Sequence, residues 1–331
     1  MDSINFVPVL RSRRLGRSNV FVTELGFGGA VVGGLYSATP GTVARTAIDA
    51  AWDAGIRYFD TAPHYGLGLS ESRLGAALRV RPREDFVIST KVGRLLTPNA
   101  HPKGSDLAYG FDVPDDLQRV NDYSRDGIQR SLEASLTRLQ LDRVDVVFVH
   151  DPDEFVEQSL REALPALIEL REQNVVGAIG VGMNQWEALR RFVLEADLDV
   201  VMVAGRWTLL DRSALPLLEA CEERSVSVLA AAPFNSGLLA TASPRDGMTF
   251  DYVSATRPKV AAARKLAAVC ERYGTTLPAA ALQFPLRNET VAAVVTGMRS
   301  SAEVDGDVEL FLSAIPEDAW TELDRAWASP P

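Results

Sequence analysis

The amino-acid sequence predicts an α/β fold, a single closed (β/α)8 barrel of the TIM type. Eight short apolar stretches recur along the chain, rich in Val, Ile or Phe and without the alternation of a half-solvated strand. Amphipathic helical patterns separate them, and no antiparallel block interrupts the order. This alternation favours a parallel barrel, with a doubly wound open sheet as the alternative architecture. The eight predicted strands are residues 24–30, 56–60, 86–90, 144–150, 177–181, 200–203, 226–231 and 291–295.

The helical patterns between the strands carry recognisable ends. The stretch TVARTAIDAAWDAG closes at Gly55, a residue type favoured just beyond a helix C-terminus. Ser70 and Ser124 stand at the starts of the next two patterns, and serine is a preferred N-cap. A final pattern, PEDAWTELDRAWA around Trp320, predicts one more helix outside the repeat.

Three segments depart from the bare repeat. Residues 10–23 predict a short hairpin around Gly16 that seals the N-terminal end of the barrel. Residues 92–122 and 235–255 form long loops after strands three and seven, on the face where barrel active sites are built. No linker or shift in composition divides the chain, so residues 1–331 are expected to form one domain.

Composition excludes several classes of protein. Hydrophobic residues make up 47% of the 331 residues and charged residues 24%, which excludes a disordered chain. The net charge of -10 disfavours nucleic-acid binding, and the two cysteines cannot build a disulfide framework. The N-terminal segment MDSINFVPVLRSRRLG lacks the apolar core of a signal peptide, and no apolar run approaches the roughly 18 residues of a membrane span. We therefore expect a cytoplasmic protein with small-molecule partners, neither nucleic acid nor membrane, and leave its oligomeric state open.

Four titratable residues follow three consecutive predicted strands. Asp60, Lys91 and His150 stand at the ends of strands two, three and four, and Tyr65 follows Asp60 on the adjoining loop. A barrel brings these ends to one rim. A lysine ammonium lowers the pKa of a nearby tyrosine, which is ordinarily about 10, an aspartate holds the lysine, and a histidine orients a substrate oxygen. Each residue alone has an ordinary explanation as a cap or a solvated charge. Together they predict proton transfer coupled to hydride exchange with a nicotinamide cofactor.

The segments around these residues resemble the aldo-keto reductase superfamily over nearly the whole chain. The stretches YFDTAPHYGLGLSE, STKVGR and VDVVFVHDPD carry the resemblance. It implies that Tyr65 is the general acid or base, that Asp60 and Lys91 tune it, and that His150 orients the substrate.

Further stretches are similar to one branch of that superfamily. GFGGAVVGGLY, VGMNQWE, GRWTLLDRSAL and FNSGLL resemble aldose 1-dehydrogenases acting on L-fucose and D-threo-aldoses, and also pyridoxal 4-dehydrogenases and L-galactose dehydrogenases. The resemblance implies oxidation of the C1 hydroxyl of a cyclic aldose to a lactone. The alternatives are oxidation of pyridoxal to 4-pyridoxolactone, general aldehyde or ketone reduction, and a cofactor-binding regulatory subunit without activity.

The resemblance also implies contacts to the nicotinamide and the substrate. Asn184 is expected to hold the nicotinamide carboxamide, with Met183 in place of the family's usual serine. Two further positions hold alanine where the family often has glutamine and an aromatic ring, so another aromatic side chain is expected to cover the nicotinamide. Ala204 stands in place of the glutamine and Ala231 in place of the aromatic ring. The candidate aromatic side chains are Trp207 and Phe234. His64, beside Tyr65, is a candidate substrate residue.

The stretch VVTGMRSSAEVDGDVELF resembles the family's phosphate-binding segment after strand eight. Its candidate residues are Gly297, Arg299, Ser300, Glu303 and Asp307. Amides at a helix N-terminus suit a phosphate, although an ordinary strand–turn–helix junction explains the glycine and serine equally well. Glu303 would favour the ribose hydroxyls of NAD, whereas Arg299 would favour the 2′-phosphate of NADP. We therefore expect NAD, with NADP tolerated.

Two rival classes of site fit the sequence poorly. The stretches GFGGAV and GVGMNQ both lack the third glycine of a G-x-G-x-x-G dinucleotide motif. The three histidines, His64, His101 and His150, form no close pair, so no metal site is predicted.

Overall fold

The computed structural model describes residues 10–328; the prediction that no signal peptide is present falls partly on residues 1–9, which lie outside this range. Eight parallel strands close into a barrel in which each strand pairs with its sequence neighbours and the last pairs with the first. The predicted (β/α)8 fold is confirmed. The strands are β1 (Leu25–Gly28), β2 (Tyr58–Asp60), β3 (Val87–Val92), β4 (Val146–His150), β5 (Ala178–Met183), β6 (Val200–Ala204), β7 (Ser227–Ala231) and β8 (Val291–Gly297).

Helices surround the barrel and bury their apolar faces against the outer side of the strands. A further helical segment, Val156–Gln158 with a π-helical continuation at Ser159–Ala163, leads into α4. The main helices are α1 (Gly41–Asp53), α2 (Leu69–Leu78), α3 (Arg125–Leu139), α4 (Leu164–Glu172), α5 (Trp186–Glu195), α6 (Leu215–Arg224), α7 (Arg257–Arg272), α8 (Leu277–Gln283), α9 (Ser301–Leu312) and α10 (Glu317–Ala328). The last of these is the helix predicted around Trp320.

Two of the three predicted helix-end residues are confirmed. Gly55 follows α1 with a φ of 87°, in the left-handed region that glycine adopts freely. The Ser124 hydroxyl accepts a hydrogen bond from the amide of Gly127 and caps α3. The prediction for Ser70 is wrong, because α2 begins at Leu69 and the Ser70 hydroxyl donates to the Gly29 carbonyl at 2.7 Å. Ser70 therefore ties α2 to the end of β1 instead of capping the helix.

The predicted N-terminal hairpin closes the lower end of the barrel. Ser12–Arg14 pairs antiparallel with Phe21–Thr23, and Leu15 and Val22 are fully buried in the apolar cluster of the barrel interior. At the turn, a side chain on Gly16 would approach the Asp199 carbonyl oxygen to 2.3 Å, so only glycine fits.

Alternation along the strands decides what the interior contains. Tyr58 of β2 and Phe148 of β4 belong to the interior apolar cluster, and the next inward positions on the same strands are Asp60 and His150. Lys91 is likewise a buried residue near the end of β3. The barrel is thus apolar in its lower part and polar at its C-terminal rim.

Both long loops contain short strands that the sequence did not predict. In residues 92–122, Arg94–Pro98 pairs antiparallel with Leu117–Asn121. In residues 235–255, Thr249–Phe250 pairs with Val253–Ser254. The first loop is therefore a structured hairpin beside the barrel mouth.

The structure shows the state of the two cysteines and the character of the helices. Cys221 and Cys270 are buried free thiols. Between residues 10 and 328, no helix combines the length and apolarity that a membrane crossing requires.

Candidate active site

Lys91 lies at the centre of the candidate site. Its ammonium donates to both carboxylate oxygens of Asp60 at 2.8 and 2.7 Å, to the Thr61 carbonyl at 3.0 Å and to the Tyr65 hydroxyl at 3.0 Å. An ammonium has three protons, and these three groups use all of them. The Tyr65 oxygen thus accepts from Lys91, which leaves its own proton free to point elsewhere.

Neighbouring side chains hold the carboxylate of Asp60 in place. The Ser89 hydroxyl donates to Asp60 Oδ1 at 2.7 Å and lies 2.9 Å from the hydroxyl of the buried Tyr58. All three residues face inward from β2 and β3, where Tyr58 pairs with Val87 and Asp60 with Ser89 in register. The carboxylate is therefore fixed from below while Lys91 binds it from the side.

A tight turn sets the position of Tyr65. Gly66 follows it with a φ of 61°, and a side chain there would lie 2.0 Å from the Gly33 carbonyl oxygen. A side chain on Gly33 would in turn approach the Tyr65 carbonyl oxygen to 2.8 Å. Close packing of these two backbone segments, possible only for glycine at both positions, turns Tyr65 towards Lys91.

The phenol of Tyr65 is protonated in the free protein. Burial raises the pKa of Tyr65 well above its ordinary value, and the charges of Asp60 and Asp151 raise it further. The lowered pKa of Tyr65 predicted from the sequence is therefore wrong for the free protein. The physical reason is that Asp60 neutralises Lys91, so that desolvation of the phenolate outweighs the ammonium.

His150 ends β4 beside Tyr65, with its ring centroid 5.9 Å from the tyrosine ring and edge-on to it. Burial lowers the pKa of His150 well below its ordinary value, and the positive charges of Arg94 and Lys91 act in the same direction. The imidazole is therefore neutral. Its Nδ1 is buried and has no hydrogen-bond partner among the described residues. A buried polar atom without a partner is costly.

His64 completes an aromatic wall beside the four residues. Its ring centroid lies 5.6 Å from that of His150 and 5.2 Å from that of Phe111, which belongs to the first long loop. Burial lowers the pKa of His64 to about 2, and nearby arginines contribute. The loop is held there by Arg119, which donates to the His64 carbonyl at 2.8 Å and forms a buried ion pair with Asp106. The sequence identified His64 as a candidate substrate residue but gave no signal for Phe111.

The structure brings Asn184 to the same rim and leaves two other candidates in the core. The Asn184 amide donates to the Ala204 carbonyl at 3.3 Å across the ends of β5 and β6. Met183 is 3% exposed and packs among the apolar side chains outside the strands. Trp207 is buried as well, and its indole donates to the Pro285 carbonyl. Phe234 is half-buried and packs against that same core.

The turn before α9 contains the candidate phosphate residues. The Ser300 hydroxyl accepts from the amide of Glu303, whose carboxylate accepts from the Arg299 amide at 2.7 Å. Ser300 is thus the N-cap of α9, and the Glu303 carboxylate binds the backbone amide just before it. The assignment of Glu303 to the ribose of NAD stays a prediction. The Arg299 guanidinium donates to the Leu35 carbonyl at 2.6 Å and to the Ser37 hydroxyl, which fixes it beside the loop after β1.

These features suit a dinucleotide with an anionic pyrophosphate. The α9 N-terminus follows Gly297 at the end of β8, and its first amides, at Ser301 and Ala302, make no hydrogen bond within the described range. Asp307, one turn beyond Glu303, is half-buried. Burial raises the pKa of Asp307 to about 7, and the Glu303 charge raises it further. Within residues 10–328, no group of three or more His, Cys, Asp or Glu side chains is placed to hold a metal ion.

Sequence reasoning missed an ion pair next to His150. Arg94, the first residue of the loop hairpin, donates to Asp151 Oδ2 at 2.8 Å, and the same oxygen lies 3.5 Å from His150 Nε2. Arg94 and Asp151 each follow the end of a strand that carries a candidate catalytic residue. This position was the signal in the sequence that could have identified them as part of the site. Their pairing depends on how the hairpin folds back over β4.

Comparisons with known proteins agree with this geometry. The model of the aldo/keto reductase family matches residues 24–328. The chain is 46% identical to D-threo-aldose 1-dehydrogenase of a Pseudomonas species over 92% of its length and 94% of that protein. It is 40% identical to pyridoxal 4-dehydrogenase of Microbacterium luteolum, over 94% and 96% of the two chains. Among solved structures, an aldo-keto reductase of Bacillus halodurans shares the fold, with a TM-score of 0.75, 24% identity and 96% coverage of each chain.

Proposed function

This chain belongs to the aldo/keto reductase family and is an NAD(P)-dependent oxidoreductase. From that premise we propose that it oxidises the C1 hydroxyl of a cyclic aldose, of the L-fucose or D-threo-aldose type, to a lactone. The proposed catalytic residues are Tyr65, Lys91, Asp60 and His150. We further propose that residues 1–331 act as one cytoplasmic domain that prefers NAD and accepts NADP.

One observation carries the catalytic assignment. The Tyr65 hydroxyl accepts from Lys91 at 3.0 Å, and the neutral His150 imidazole lies beside it at the same rim, with its ring centroid 5.9 Å from that of Tyr65. A substrate oxygen placed there contacts a proton-transfer group and a neutral hydrogen-bond partner at once. His150 orients that oxygen, and the Lys91–Asp60 pair stabilises the phenolate form of Tyr65 when its proton leaves.

The chain's own residues account for the proton in this reaction. When bound, the oxidised nicotinamide supplies the hydride acceptor. The C1–H bond breaks with its electron pair, the C1–O bond becomes a carbonyl, and the hydroxyl proton passes to the phenolate oxygen of Tyr65. Because Tyr65 is protonated in the free protein, its proton must first be lost, so oxidation is favoured by high pH.

The relatives and the pocket support a cyclic hemiacetal as substrate. The relative at 46% identity carries the name of an aldose 1-dehydrogenase. A hemiacetal presents a hydroxyl and a hydrogen on the same carbon, which is the arrangement that hydride and proton removal require. Hydrolysis of the lactone product then draws the reaction towards oxidation.

Pyridoxal is the second candidate substrate, since it also closes to a hemiacetal. The aromatic wall of His64 and Phe111 suits a planar ring, and a relative at 40% identity carries the name of a pyridoxal 4-dehydrogenase. A general reductase of aldehydes or ketones is a third possibility, for which the protonated Tyr65 would serve as acid.

A substrate screen tests the proposal. The purified protein is mixed with L-fucose, D-arabinose, pyridoxal or open-chain aldehydes, with each oxidised or reduced cofactor, and reduced nicotinamide is followed by absorbance. We expect oxidation of L-fucose with NAD and a lactone product visible by NMR. Turnover of open-chain aldehydes alone, with reduced cofactor, would overturn the proposal, and the Tyr65→Phe variant serves as the background control.

A further inference from the structure

The ion pair of Arg94 and Asp151 lies beside the reacting groups but has no part in the proton transfer described above. Its side chains are 18% and 27% exposed, so both are mostly buried but still reachable from the pocket. Asp151 directly follows His150, and its charge is among those that raise the pKa of Tyr65. A carboxylate at this position makes proton loss from Tyr65 harder, so an explanation for its presence must lie in another role.

The backbone holds Asp151 in an unusual conformation. Its φ is 41°, in the left-handed region that few residues other than glycine, asparagine and aspartate adopt. Its amide donates to the Gly182 carbonyl at 3.0 Å. The hydroxyl of the fully buried Tyr123 donates to the carbonyls of His150 and Asp151, at 2.6 and 3.0 Å. The surrounding structure thus fixes the direction of the carboxylate, as is typical of functional positions.

One oxygen of this carboxylate is available to a ligand. Asp151 Oδ2 accepts from Arg94 and lies 3.5 Å from His150 Nε2, whereas Oδ1 accepts no hydrogen bond from the described residues. A hydrogen-bond acceptor therefore lies next to Nε2 of the imidazole that, under the proposed function, contacts the reacting oxygen. Burial raises the pKa of Asp151, and the charge of Arg94 acts against this rise. The ion pair also prevents the carboxylate from turning away.

We infer that Asp151, held by Arg94, is a specificity-determining residue that accepts a hydrogen bond from the hydroxyl on C2 of the aldose. The inference rests on the proposed function. In an aldose the C2 oxygen is the neighbour of the C1 oxygen, within about one hydrogen-bond length of it. With the C1 oxygen at Tyr65 and His150, the C2 hydroxyl reaches the carboxylate that borders His150. Substrates without this hydroxyl leave Oδ1 of Asp151 without a hydrogen bond, which costs binding energy.

A purely supporting role makes a different prediction. If Asp151 only oriented His150 or held the loop, its removal would slow all substrates by the same factor. If it binds the C2 hydroxyl, removal penalises only substrates that carry one. L-fucose and 2-deoxy-L-fucose differ in that hydroxyl alone, so their ratio of kcat/KM separates the two roles.

The experiment measures kcat/KM for both sugars in the wild type, Asp151→Ala and Asp151→Asn. We expect the wild type to prefer L-fucose roughly 10- to 100-fold, the range of a hydrogen bond to a charged group. Asp151→Ala should bring the ratio close to one through loss on L-fucose. Asp151→Asn tolerates the left-handed backbone, keeps a neutral acceptor and should give an intermediate ratio.

Asp153 provides the matched control. It is an exposed carboxylate two residues further along the same loop, and Asp153→Ala should retain the wild-type ratio. Equal losses on both sugars in Asp151→Ala, or no preference in the wild type, would overturn the inference while leaving the proposed function intact. Failure of the wild type to oxidise any aldose would instead overturn the proposed function, and the inference with it.

Discussion

The ammonium of Lys91 contacts both carboxylate oxygens of Asp60, at 2.8 and 2.7 Å, inside the barrel, where the two residues are 1% and 3% exposed. At this depth neither charge is solvated, and each depends on the other. Removing one partner of a buried ion pair leaves an isolated charge, whereas removing both leaves none. The pair therefore couples the chemistry at Tyr65 to the stability of the fold.

Lys91→Met should be less stable than the double variant Asp60→Asn, Lys91→Met. The single change leaves the Asp60 carboxylate buried without its cation, which costs roughly 3–5 kcal/mol. The double change removes both charges and should recover much of this loss, although both variants should lack turnover. Urea unfolding followed by circular dichroism measures the difference. Equal unfolding free energies for the two variants would contradict the prediction.

Tyr65→Phe should lose turnover but keep cofactor affinity. The phenyl ring retains the packing of Tyr65 against Phe111 and His150, whereas the hydroxyl that exchanges the proton is gone. General acid–base groups contribute about 10²–10⁴-fold, so kcat should fall by roughly that factor. Cofactor titration by fluorescence quenching provides the second readout. Near-normal turnover would remove Tyr65 from the mechanism.

The pH dependence of oxidation should follow Tyr65 and show no histidine. The pKa of Tyr65 is raised by burial, so the phenolate fraction and the oxidation rate should increase with pH through the alkaline range. Burial lowers the pKa of His64 to about 2 and that of His150 well below its usual value, so neither should change its charge near the ordinary histidine pKa of about 6.5. A pH–rate profile for kcat/KM tests this. An inflection near the ordinary histidine pKa would contradict it.

The alternation of strand and helix patterns along the chain was sufficient to predict the barrel and the position of its central candidate residues. Asp60, Lys91 and His150 follow buried strands directly, and a parallel barrel leaves one rim where such ends can meet. The N-terminal hairpin was equally readable, because Gly16 marks its turn. These features depend on local sequence patterns and on closure of the barrel, and both can be predicted from the sequence.

Other features depend on tertiary contacts that no local pattern encodes. Arg94 meets Asp151 only because the loop forms a hairpin, and Ser70 lies within a helix that begins one residue earlier. The direction of the Tyr65 pKa shift was predicted wrongly, since burial and the neutralisation of Lys91 by Asp60 appear only in three dimensions. The roles of Asn184, Trp207 and the phosphate segment remain predictions.

Arg299→Ala should weaken NADP binding more than NAD binding. Only NADP carries a 2′-phosphate with which the guanidinium can pair, and Arg299 is already fixed by the Leu35 carbonyl and the Ser37 hydroxyl. We expect a loss of roughly tenfold or more in NADP affinity and a smaller loss for NAD. Glu303→Gln, which can keep the capping hydrogen bond without the charge, should shift preference slightly towards NADP. Equal weakening of both cofactors by Arg299→Ala would place the guanidinium away from the 2′-position.

Asp307→Asn should stabilise the fold increasingly as the pH rises. Burial raises the pKa of the folded-state Asp307 carboxyl to about 7, whereas in the unfolded chain it titrates near its ordinary value of about 4. A raised folded-state pKa means that stability is fully present below the unfolded pKa and is lost as the pH rises through the folded one. An asparagine side chain does not titrate in this range. The free energy of unfolding of Asp307→Asn should therefore rise relative to that of the wild type by roughly 2–3 kcal/mol between about pH 5 and about pH 8. Asp305→Asn, which removes a carboxylate from the exposed side of the same helix, should show no such growth. The test is the free energy of unfolding of the wild type and the two variants at both pH values. A stability difference between Asp307→Asn and the wild type that is independent of pH would mean that Asp307 is ionised in the folded protein throughout.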